Sequence, residues 1–141
     1  MTSRQRLMFV NGIVLGLFAV PSVIADARAI WLDAGPLTAV LRGMPGAGIG
    51  FFEAHGLAAI LAFWFLYVGR KQPSPERTWH FTAAATHALL GASNIALWQI
   101  FLVTDMLVMG YVSTTVHLVF AALQFVTGLR APRAATGAPR Y

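Results

Sequence analysis

Cysteine is missing from this chain. Its absence excludes disulfides, thiolate metal sites, iron–sulfur clusters and cysteine nucleophiles. Charge is scarce as well. Asp, Glu, Lys and Arg together make up 11% of the 141 residues, against roughly 25% in an average soluble domain. With so little charge and 57% hydrophobic residues, the chain has too little polar surface to face water, so its natural solvent is lipid. Several chemical motifs are also lacking. No glycine-rich loop cradles a phosphate, no G-x-S-x-G elbow presents a serine, and no H-E-x-x-H pair holds zinc. These gaps argue against nucleotide-driven chemistry and hydrolase triads, and no residue is assigned to a metal. Acidic residues are the scarcer sign, five against ten basic ones. The basic residues sit singly or in small groups between apolar runs, without the basic stripe and interleaved aromatics of a nucleic-acid binder. They read as flank anchors that touch anionic membrane lipid.

What is present is four apolar runs, at about 7–25, 49–69, 81–104 and 107–129. Each is near the roughly 20 residues that cross a hydrocarbon core as a helix. The expected fold is therefore an all-α, integral membrane four-helix bundle spanning residues 1–130, followed by a disordered cytoplasmic tail, 131–141. The polar turn Arg70–Arg77, with prolines 73 and 75, separates the second and third runs, and Thr104–Met106 separates the third and fourth. Pro36 and Gly43 bracket one short interfacial helix, Pro36–Arg42, in the outer connection between helices one and two.

Orientation follows from the Lys/Arg asymmetry. Arg4, Arg6, Arg70, Lys71, Arg77, Arg130, Arg133 and Arg140 fall on one side, and only Arg28 and Arg42 on the other. Both termini are accordingly expected in the cytoplasm, with the chain multi-pass in the inner membrane. A competing reading takes Arg4, Arg6, the first apolar run and Ala25–Ala27 as a signal peptide. The run is longer than the roughly 7–15 residues of a signal core, which favours a retained helix.

Polar residues within the runs are patterned. On the third, His80, Ala84, His87, Gly91, Asn94, Trp98, Phe101 and Asp105 share one helical face, with Gln99 beside it. On the fourth, Gly110, Thr114, His117, Ala121, Gln124 and Gly128 do the same. Glu53 and His55 lie near the outer end of the second run, and Asn11 stands alone on the first. In lipid such groups must turn inward, toward one another or a cavity. Small residues at fourfold spacing, among them Gly12 and Gly16 and also Ala54, Ala58 and Ala62, let the helices approach closely.

Glu53 is the first candidate for chemistry, because a carboxyl within a span carries a functional expectation. Glu53, His55 and His117 form the expected acid–base set, and Asn94, Trp98, Gln99 and His87 the expected ligand-binding set. His80 reads as an interface residue, and Asp26 and Asp105 as solvated at the outer surface. His87 and His117 are equally readable as structural histidines bonded across helices.

Four short helices with inward His and Glu, and with Asn94 followed one turn later by Trp98, resemble the EXPERA-type architecture of sterol isomerases and the sigma-2 receptor. In size and helix count the chain is also similar to the DoxX-like bacterial membrane proteins. The resemblance implies an intramembrane pocket for a hydrophobic small molecule such as a lipid, isoprenoid or quinone, with acid–base isomerase-type chemistry. The residues leave other readings open: a small transporter or proton-conducting subunit, a structural or assembly subunit, and a b-type haem carrier, with a homo-oligomer open as well. Haem would need His87 and His117 to face each other, and a rise of about 1.5 Å per residue places them roughly 8 Å apart in depth. The cofactor is left unassigned.

Overall fold

The computed structural model describes residues 1–131, and all its regular structure is helical. The tail from 132 onward, expected to be disordered, lies outside the described residues. The elements are α1 (Ser3–Trp31), α2 (Thr38–Gly43), α3 (Pro45–Lys71), α4 (Arg77–Ala96), α5 (Trp98–Val103) and α6 (Leu107–Arg130). Among the described residues, three helices are long and apolar enough to cross a membrane: α1, Gly46–Lys71 within α3, and α6. The chain is on that ground a membrane protein.

Local chemistry sets the helix ends. Thr2 caps α1 through its hydroxyl, and the Gln5 side chain answers to the Thr2 amide, a reciprocal capping box. At the other end Asp33 adopts φ 53°, and the Ala34 amide donates to Arg28 carbonyl across 3.1 Å. This left-handed turn just past the helix end folds the chain back over its last turn, and aspartate is among the few residues that tolerate it. Helix α1 thus runs well past residue 25, where its apolar run ends. A proline opens α3, where a missing amide costs nothing. The run read as one helix over 81–104 is divided: α4 stops at Ala96, Leu97 turns, and the six-residue α5 follows. Ile100 amide bonds Leu97 carbonyl three residues back, a tighter winding than α.

Packing is organised as two hairpins, α1 with α3 and α4 with α6, which touch each other far less than their members do. Within the first, α1 and α3 meet almost backbone to backbone. A Cβ added at Gly12 would lie 2.7 Å from Leu66 nitrogen, and one at Gly69 would lie 2.6 Å from Phe9 nitrogen. Met8, Leu15, Ala19, Ala58, Ala62, Phe65, Val68 and Ala83 form the buried apolar cluster. One end of the molecule gathers the start of α1, the α3–α4 turn and the end of α6. Arg4 donates to Arg130 carbonyl (2.7 Å) and Ser74 hydroxyl, and Arg77 donates to the carbonyls of Gly128 and Leu129. Both guanidiniums satisfy orphan carbonyls at a helix C-terminus, where positive charge is favoured.

The distribution of polarity is inverted. Asn11, Asp26, His80, His87 and Gln124 are 0% exposed, while Leu17 is 69% and Val108 79% exposed. Water would favour the opposite arrangement, whereas a surrounding of lipid tails favours this one.

Candidate functional site

The buried polar groups form three layers along the interior. Nearest the arginine-rich end, Gln124 of α6 joins both hairpins. Its Oε1 accepts from His80 Nδ1 at 2.6 Å, and its Nε2 donates to Asn11 Oδ1 at 3.1 Å. The acceptor role of Oε1 fixes the proton of neutral His80 on Nδ1. His80 is therefore a buried bridge between helices, not an interface residue, and Asn11 is not alone.

The middle layer is His87 of α4 against His117 of α6. Their Nδ1 atoms lie 2.8 Å apart, and the ring centroids 5.1 Å. One ring must donate and the other accept. The separation of roughly 8 Å estimated from helical rise is corrected here, since the two rings are in direct contact. Direct contact also leaves no room for an iron between these two nitrogens, which at about 2.0–2.1 Å per bond would need roughly 4 Å.

The third layer, farthest from the arginine-rich end, lines a cavity of about 190 Å³. Its wall is mostly apolar, with Leu15, Phe18, Phe51, Leu90 and Phe101 prominent, and its polar members include Asp26, His55, Asn94, Ser113 and His117. Asp26 Oδ2 lies 2.6 Å from His55 Nδ1, joining α1 to α3. Asp26 is fully buried, whereas the His55 side chain is 30% exposed. Oδ1 of Asp26 is buried and has no protein partner. Phe51 stacks on the His55 ring, and Phe18 packs on His117 at 5.9 Å. Across the cavity Asn94 Nδ2 donates to Ser113 hydroxyl at 3.0 Å.

The residues singled out in the sequence divide accordingly. His55, His117 and Asn94 come together at the cavity, and His87 stands directly behind His117. Glu53 does not join them. It is exposed on α3 and absent from the wall, because two residues of helix turn it away from His55. Gln99 is exposed on α5. Trp98 lies outside the wall and backs it, packing on Phe101 and Tyr111 at 5.6 and 4.8 Å. Asp26, read as solvated, is the carboxylate that faces His55. Its phase was visible: 8, 11, 15, 19, 22 and 26 step by three and four along α1, so it shares a face with buried Met8, Asn11, Leu15 and Ala19. Ser113 also entered no reading of the sequence.

The site thus belongs to an all-helical membrane protein that buries several polar side chains and whose cavity, far from the arginine-rich end, holds an aspartate–histidine pair. No protein-family model, curated protein or solved structure matches the chain.

Proposed function

We propose that this protein binds a hydrophobic small molecule inside the membrane, in the cavity beside Asp26 and His55. The reading places four long helices, α1, α3, α4 and α6, across the inner membrane as a bundle, with both termini and the α3–α4 turn in the cytoplasm. At about 1.5 Å per residue the 20 residues of α4 are long enough for this. Its composition falls short of an ordinary span because it carries several hydroxyls together with His80, His87 and Asn94, of which the histidines are buried and Asn94 lines the cavity. The cavity then lies in the outer half.

The observation that carries the proposal is an apolar cavity with a buried, half-satisfied carboxylate in its wall. Ligand sites are concave and mostly apolar, with a few placed polar groups. The cavity is blind. Below it the His87–His117 contact, the Gln124 bridge and the fully buried Phe65 and Met8 close the interior, which favours binding over conduction. Asp26 and His55 also supply an acid–base pair at the ligand, taking the role first sought in Glu53.

The test is extraction of lipophilic material from gently purified protein, measured by mass spectrometry against a Ser22→Trp variant. Ser22 lines the cavity, and an indole there fills it. The expected result is a defined lipophilic mass at near-equal stoichiometry in the natural protein and its loss in the variant. Equal recovery from both proteins, or none from either, overturns the proposal.

A further inference from the structure

Hydrogen-bond accounting at the cavity wall narrows the ligand. We infer that the occupant is a compact apolar molecule carrying a hydrogen-bond donor, an alcohol or an amine, which it gives to Asp26. The inference rests on the binding function proposed above and names the ligand class for the same cavity.

The accounting begins with Asp26. Its Oδ2 is engaged by His55, and Oδ1 has no partner and no surface open to the cavity, so a ligand reaches it by turning the carboxyl. With the shared proton on either atom of the 2.6 Å contact and none on Oδ1, that oxygen is an acceptor. No Lys or Arg belongs to the wall. The other engaged groups leave acceptor capacity as well. Asn94 uses Nδ2 on Ser113, which leaves its Oδ1, and Thr104 donates its hydroxyl to Ile100 carbonyl at 2.6 Å. Ser113 hydroxyl in turn donates to Gly110 carbonyl. Ser22, Ser93 and His117 can serve an acceptor on the ligand, but a hydroxyl can rotate to another partner and the carboxylate cannot. A buried acceptor left without a partner is costly. The ligand that satisfies Asp26 therefore wins over a quinone, ketone or ester, which can only accept.

Size sets a second limit. A dry cavity of about 150 Å³ holds benzene, so 190 Å³ takes one ring or a comparable branched chain, with any longer tail passing out toward lipid. Phe18, Phe51 and Phe101 supply ring faces that suit either an apolar ring or an ammonium.

The test compares four probes of one shape on the full-length protein in detergent, by ligand-observed fluorine NMR. The probes are 4-fluorobenzyl alcohol, 4-fluorobenzylamine, 4-fluorobenzaldehyde and 4-fluorotoluene. Signal that persists with Ser22→Trp is micelle partition and is subtracted. The two donors are expected to bind about tenfold or more tighter than the aldehyde and the toluene, the scale of one hydrogen bond to a charged group. Asp26→Ala is expected to erase that preference and leave toluene binding unchanged. Asp26→Asn keeps an acceptor without the charge. If the amine alone weakens there, the natural ligand is a lipophilic amine, and if both donors hold, it is an alcohol. Equal affinity for all four probes overturns the inference and leaves the apolar cavity standing. Failure of every probe, toluene included, overturns the binding function as well.

Discussion

Gln124 joins the two hairpins through buried side-chain hydrogen bonds near the arginine-rich end. It serves His80 within its own hairpin and Asn11 across the gap. Measured interhelical hydrogen bonds in membranes average only about 0.6 kcal/mol, yet a removed partner leaves the others buried and unsatisfied at about 1–3 kcal/mol. Gln124→Leu is therefore expected to destabilise the protein by roughly 1–3 kcal/mol, read by unfolding in mixed micelles. Asn11→Leu added to it should cost much less than it does alone, because its partner is already gone. Strict additivity of the two changes would show that Gln124 does not couple the hairpins. The same scale shows where the sequence was legible. The inward faces bearing His87, Asn94, His117 and Gln124 follow from helical spacing. The choice between Glu53 and Asp26 does not follow from hydropathy, because Asp26 lies just beyond the first apolar run, beside Arg28. Only its phase with Met8, Leu15 and Ala19 betrays it.

Between elements, the controlling quantity is how closely α1 and α3 approach. Gly12 and Gly69 lie where the opposing backbone leaves no space for a methyl, whereas a Cβ at Gly16 would meet Ala62 Cβ at an ordinary 3.7 Å. Gly12→Ala and Gly69→Ala should each destabilise by about 1–3 kcal/mol, as overpacking does. Gly16→Ala should fall within about 0.5 kcal/mol of the natural protein. The measurement is again unfolding in micelles, and a costly Gly16→Ala with a silent Gly69→Ala would contradict this packing. The Gly12/Gly16 row was apparent from fourfold spacing, but Gly69 carried no such signal, since its close approach depends on the crossing of the two helices. The break at Leu97 was equally hidden. Neither proline nor glycine marks it, and tertiary placement of α5 over the cavity, through Ile100 and Phe101, is what it achieves.

For the whole molecule the decisive question is topology, because the cavity belongs to the outer half only if α4 crosses the membrane. Three helices qualify on length and apolarity alone, and α4 is the exception because it carries the polar interior. The arginines bear on the same point. Arg4 and Arg77 bind the end of α6, so the start of α1, the α3–α4 turn and the end of α6 share one side by direct contact. That side holds most of the basic residues, which is the ground for the cytoplasmic placement proposed for it. The absence of cysteine gives a clean background for single-cysteine labelling in right-side-out and inverted vesicles. Ser74→Cys, in the exposed α3–α4 turn, is expected to react only with a cytoplasmic impermeant thiol reagent. Ala39→Cys on α2 and Gln99→Cys on α5, both exposed, are expected to react only from outside. Reaction of Gln99→Cys from the same side as Ser74→Cys would mean that α4 returns without crossing. The cavity would then open on the cytoplasmic side of α4.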